Sequence, residues 1–193
     1  MKTHAIAAFA AASLTALAAH ATDFSVSAFD NSSSGTGVGL ASVNLTAGEA
    51  FTVSVNPNDL WSAGALPRWS NADGLTGNLL ATGTDESGEA AGTLIGQDFG
   101  LWDQNGLSAP FGTLVGEIGG VFKVIGTNFN GAAWNTGTLN LFYWDSNNAD
   151  NTGSVLASVI VGDVPEPVGW ALMIVGFGLA GATIRRKRSA AAV

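Results

Sequence analysis

Glycine constrains this chain more than any other residue. It occurs 26 times in 193 residues, close to twice the average usage of roughly 7%. Each glycine inside a helix costs about 1 kcal/mol relative to alanine. Long helices are therefore disfavoured, and short strands joined by tight turns are favoured. Between Thr22 and Asp163 the chain carries strand-sized runs bounded by Gly, Asn and Asp. Phe24 to Phe29 alternates imperfectly. Val38 to Leu45 offers Val38, Leu40, Val43 and Leu45 to a core. Phe51-Thr52-Val53-Ser54-Val55 alternates cleanly, which points Phe51, Val53 and Val55 inward. Thr113 to Ile118 and Val121 to Ile125 flank Gly119-Gly120, a pair suited to a hairpin turn with positive φ. Thr138 to Trp144 and Ser154 to Val161 complete the set and are expected to pair antiparallel. Repeated short strands with turn signals predict an all-β antiparallel sandwich or jelly roll over residues 22–163. Leu75 to Gly112 reads poorly. Within it, Thr82 to Glu89 is polar and is expected to be an exposed loop, and Gly106 to Pro110 reads as a turn.

Absences limit the chemistry. There is no cysteine, and the two histidines are His4 and His20. Disulfides and thiol nucleophiles are excluded. With both histidines in a segment expected to be removed, Ser-His-Asp catalysis and zinc sites lose their usual groups. Carboxylates for a glycosidase pair abound, but nothing fixes two at a working separation; no enzyme is expected. From Asp23 to Asp163 fourteen acids face two bases, Arg68 and Lys123, a net of −12. Such a body repels phosphate, so nucleic acid is not an expected partner. It suits divalent cations and neutral ligands.

The ends read as addresses. Lys2, the apolar run Ala5 to Leu17 and Ala19-His20-Ala21 have the order of a secretory signal peptide over residues 1–21, cleaved before Thr22. Val168 to Ile184 is 17 residues without a charge, about 25 Å as a helix and at the short end of what crosses a bilayer. Arg185, Arg186, Lys187 and Arg188 follow, a cluster retained on the cytoplasmic side. One C-terminal transmembrane helix is expected, with the body outside the cytoplasm.

Pro165-Glu166-Pro167, Trp170-Ala171, the glycine-rich span and the basic cluster together resemble the PEP-CTERM sorting signal in its PEPxxWA form, over residues 164–193. The resemblance implies a protein exported across the inner membrane of a Gram-negative bacterium, held briefly by the C-terminal helix, then released to the cell surface or extracellular matrix. It implies an exosortase as the processing partner, with Pro165, Glu166, Pro167, Trp170 and Arg185 to Arg188 as the residues read. Such proteins are linked to extracellular polysaccharide and biofilm matrix.

Asp145-Ser146-Asn147-Asn148-Ala149-Asp150-Asn151-Thr152-Gly153 is the densest set of oxygen donors. Calcium takes six to eight oxygens from carboxylates, amides, backbone carbonyls and water. Asp145, Asp150 and Asn151 offer three; the same residue types also fill ordinary turns. The loop is no EF-hand, since the required Gly and Glu are missing. The body also resembles the small calcium-dependent galactose-binding lectins of bacteria. The matching stretches are Leu45 to Val55, Leu60-Trp61, Trp69, Gly112 to Gly119, Gly137 to Asp145 and Asp150 to Ser154, in that order. The resemblance implies Asp145, Asp150 and Asn151 as calcium ligands, a backbone carbonyl near Ala63 or Gly64, and sugar hydroxyls completing the coordination. That family's His and Gln sugar contacts have no counterpart after Trp69, and Thr82 to Glu89 stands near their place. Aromatic faces suit sugar C–H surfaces, and proximity to the acidic loop selects Trp61 and Trp144. The function expected is a calcium-dependent module for extracellular polysaccharide or another glycan. The alternative is a structural matrix protein without ligand binding.

Overall fold

Alternation at period two places one face of each strand inward, and the core follows that rule. In the computed structural model, which describes residues 20–35, 37–162 and Phe177, Phe51, Val53 and Val55 are all buried. They lie on β3 (Ala50–Val55). β3 sits in a sheet with β12 (Asn128–Ala132), β14 (Thr152–Val161), β4 (Trp61–Ser62) and β5 (Trp69–Ser70), and β1 (Ala21–Ser27) adds to β14. The second sheet runs in the order β11 (Val121–Val124), β10 (Leu114–Ile118), β13 (Gly137–Tyr143) and β2 (Leu40–Leu45). All named pairings are antiparallel.

One apolar cluster joins the sheets. Val26, Phe51, Val53, Val155, Ala157 and Val159 from the first meet Leu45, Leu114, Ile118, Leu139, Leu141 and Tyr143 from the second. The body is therefore an all-β protein with two sheets packed face to face. The Gly119-Gly120 hairpin is as expected: Ile118 pairs with Val121, and both glycines have positive φ.

Three expectations need correction. Val38 is 72% exposed because β2 starts only at Leu40. Gly106 to Pro110 is not a turn but mostly β9 (Leu107–Pro110), paired with β8 (Leu101–Gln104). The turn is one step earlier, at Asn105-Gly106, both with positive φ. The third correction matters most for the site: β13 and β14 are not neighbours. They belong to different sheets, so the acidic loop between them crosses from one sheet to the other.

The remaining pair is β6 (Leu79–Leu80) with β7 (Leu94–Gly96). Of the expected leader, only residues 20 and 21 are described, and Ala21 already pairs with Ile160. The sorting motif Pro165 to Pro167, Trp170 and the basic residues 185–188 lie outside the described residues, as does the apolar span apart from Phe177. Among the described residues no helix is long and apolar enough to cross a membrane.

Candidate functional site

Crossing between sheets fixes the acidic loop from below. The segment after β1 clamps it. Ser33 Oγ donates to the Asp145 carbonyl and accepts from the Asp145 N–H, both at 3.1 Å. The Asn151 amide nitrogen donates to Ala28 O at 3.1 Å, and that of Asn148 to Phe29 O at 3.3 Å. These bonds join residues more than 110 positions apart. The loop is thus part of the fold rather than an appendage.

The clamp leaves acceptors without donors. Asn151 is 4% exposed, and its Oδ1 is buried with no hydrogen-bond partner. An unpaired buried acceptor costs about 1–3 kcal/mol. Asp145 is also 4% exposed. Burial pushes its carboxyl above the ordinary value of 3.8; hydrogen bonds from the Ser146 N–H and the Asn151 side chain oppose that rise, and the charge of Asp150 adds to it. Beneath, the Tyr143 hydroxyl is buried and unpartnered, raised well above its ordinary value by burial first and then by the charges of Asp145 and Asp150.

The β4–β5 turn forms the opposite wall. Gly64 takes φ 112°, and a Cβ there would run into Asp150 Oδ2. Ser62 Oγ donates to Gly64 O at 2.7 Å. The Ala63 carbonyl accepts only a long bond, from Arg68 Nη1 at 3.4 Å, and Ala63 lines the cleft. That cleft holds about 290 Å³ and is walled by Ala63, Arg68, Phe99, Phe111, Asp145, Ser146, Asn147 and Asp150. Asp145 and Asp150 face it from the loop, and Asn151 lies buried beside Asp145. Of the three residues expected as ligands, Asp145 and Asp150 line the cleft, and Asn151 does not; it lies behind Asp145, its side chain hydrogen-bonded to that carboxyl. Among the described residues no group of three or more His, Cys, Asp or Glu is placed to hold a metal. The donor set is two carboxylates, one amide oxygen and one backbone carbonyl, all hard oxygens of the kind calcium accepts.

The two tryptophans expected to contact sugar do not line this cleft; both are core residues with 0% exposure. Trp61 packs edge-on against Tyr143, with centroids 4.6 Å apart, and its Nε1 donates to Asn71 O and Gly112 O. Strand parity explains Trp144. It follows Leu139, Leu141 and Tyr143, so it points to the outer face of the second sheet, and the β8–β9 hairpin covers it. Its Nε1 donates to Trp102 O at 2.9 Å. The aromatic residues in the cleft are Phe99, 43% exposed, and Phe111, edge to face at 5.3 Å. Phe99, Phe111 and Arg68 were not among the expected site residues. One signal for Arg68 existed: it is one of only two bases in a body of fourteen acids.

Thr82, Thr84, Asp85 and Glu86 line a different cleft, with Pro57, Asn58, Leu60 and Leu79, and no residue of the 82–89 loop lines the Asp145 cleft. The loop is organised around Asp85. Asp85 Oδ2 accepts from Thr82 Oγ1 at 2.9 Å and from the Thr82 N–H; Oδ1 accepts from the Ser87 N–H at 3.1 Å and from Ser87 Oγ. These bonds, the Ser87 hydroxyl first, pull the Asp85 carboxyl down to about 2.

No protein-family model matches the chain, and no curated protein matches it. Among solved structures it is similar to one described as "EclA N-terminal domain; PllA-like lectin", at 23% identity and a TM-score of 0.44, over 72% of this chain and 94% of that one.

Proposed function

We propose that the cleft binds calcium through Asp145, Asp150, Asn151 and the Ala63 carbonyl, and that the bound cation completes a binding site for a carbohydrate. One observation carries the reading: Asp145, a buried carboxylate, lines an open cleft together with Asp150, and Asn151, whose Oδ1 is buried without a donor, packs against Asp145. Protein polar groups inside a fold are normally satisfied. A cation is the partner that suits two carboxylates and an orphan amide oxygen together. Calcium fits better than magnesium, because a set drawn from a loop and a turn has no strict octahedron to offer. When bound, calcium supplies positive charge and coordination positions open to hydroxyl groups. The protein's own residues hold the donors at fixed spacing and present Phe99 and Phe111 as apolar surface for a sugar's C–H face.

Binding to a glycan array with calcium and with chelator tests this. The reading expects binding that chelator abolishes. An array without a calcium-dependent signal favours a structural matrix role for the same fold.

We also propose export, exosortase processing near Pro165 to Pro167, and release to the surface, on the strength of the terminal sequence pattern. Mass spectrometry of the extracellular form is the check. Peptides containing Arg185 to Arg188 on mature protein would overturn that part of the reading.

A further inference from the structure

We propose that Arg68 makes this cleft selective for acidic sugars, its guanidinium anchoring the carboxylate of a uronate. The inference rests on the calcium reading above and adds the ligand class. The described body has two bases, and one of them lies in the cleft. Arg68 is held but not used up. Its guanidinium carbon stands 4.7 Å from the Phe99 ring centroid, a cation–π distance that fixes the plane. Nη1 donates to Ala63 O at a long 3.4 Å and lies 3.6 Å from Asp150 Oδ2, beyond normal hydrogen-bond range. A guanidinium carries five N–H donors. Among the described residues that single long bond is its only hydrogen bond, and the side chain is 37% exposed. A planar fork with free donors matches a carboxylate bidentately, which a lysine does not.

Charge decides when an acid could enter. Asp145 and Asp150 against Arg68 leave the cleft at −1; a divalent cation brings it to +1. Uronate binding is therefore calcium-dependent. The rest of the body is strongly acidic and repels an anionic glycan, so selectivity falls to the cleft.

The test is calorimetric titration of the purified full-length protein in calcium. The probes are the methyl glycosides of galacturonic and glucuronic acid, each beside its neutral parent hexoside. At least one uronate is expected to bind about tenfold or more tightly than its parent, equivalent to about 1.4 kcal/mol. Arg68→Gln should bring acid and parent to equal affinity while calcium binds no more weakly than to the native protein. Arg68→Lys, which keeps the charge without the fork, should retain the native melting temperature and calcium affinity and lose most of the preference. Equal affinities in the native protein, or a preference that survives both substitutions, would overturn the role of Arg68 and leave the sugar site standing. No binding of any of the four glycosides would overturn the carbohydrate reading beneath it.

Discussion

Two acidic loops of similar composition behave in opposite ways. Thr82 to Glu89 and Asp145 to Asn151 both concentrate acidic with small polar residues. In the first, the Asp85 carboxylate is exposed and surrounded by donors from Thr82 and Ser87, and its pKa falls to about 2. In the second, Asp145 is buried, its pKa is raised, and Asn151 Oδ1 beside it has no donor. The first loop satisfies itself. In the second, clamps from the segment after β1 hold the loop with Asn151 Oδ1 left without a donor. Oxygen density alone therefore does not distinguish the two loops; the unpaired buried oxygen of the second does.

The comparison can be broken in three ways. The largest effect belongs to Gly64→Ala. The new Cβ would displace Asp150 Oδ2 and would sit on a backbone with φ 112°. A cost of roughly 1–3 kcal/mol in stability is expected, together with loss of the calcium response, measured by thermal melting with and without calcium. A variant that melts normally and still responds to calcium would remove Asp150 from the site.

Asp145→Asn should stabilise the calcium-free protein by on the order of 1 kcal/mol, the usual size of a single-site effect. The sign follows from linkage. Burial raises the Asp145 pKa above its ordinary 3.8, so in that window the native state holds a proton the unfolded chain has released. Stability then falls as pH rises from 3.8 through the raised value. Denaturant melts across that range should show the falling slope in the native sequence and its loss in the variant.

Asp85→Asn gives the smallest effect and the opposite sign. The stabilising contribution of Asp85 is fully present above 3.8 and fades as pH falls toward 2. At neutral pH the variant should lower the melting temperature slightly and leave calcium binding unchanged. A lost calcium response would show that the two loops are not independent.

Much of the body was legible because period-two alternation reports burial directly, as at Phe51, Val53 and Val55. The Gly119-Gly120 turn was legible because glycine takes positive φ without steric cost, and the turn needs it at two successive positions. The candidate ligands Asp145, Asp150 and Asn151 could be named from residue type and order. Their real asset, an unpaired buried oxygen, could not, because it depends on Ala28 and Ser33 more than 110 positions away. The tryptophans misled for a related reason. Nearness in sequence to the acidic loop says nothing about which side of a strand faces solvent or what covers it. Phe99 and Arg68 lie in or near a stretch without alternation, and they meet only through the tertiary fold.

The central proposal is that Asp145, Asp150 and Asn151 bind calcium. Thermal melting of the protein in millimolar calcium against chelator tests it most directly. A ligand that binds only the folded state stabilises it by about 2.7 kcal/mol at one hundred times Kd, or roughly 5–10 °C for a domain of this size. The account predicts a rise of that order with calcium, a smaller one with magnesium, and none for Asp145→Asn. Superimposed curves with calcium and with chelator would contradict it.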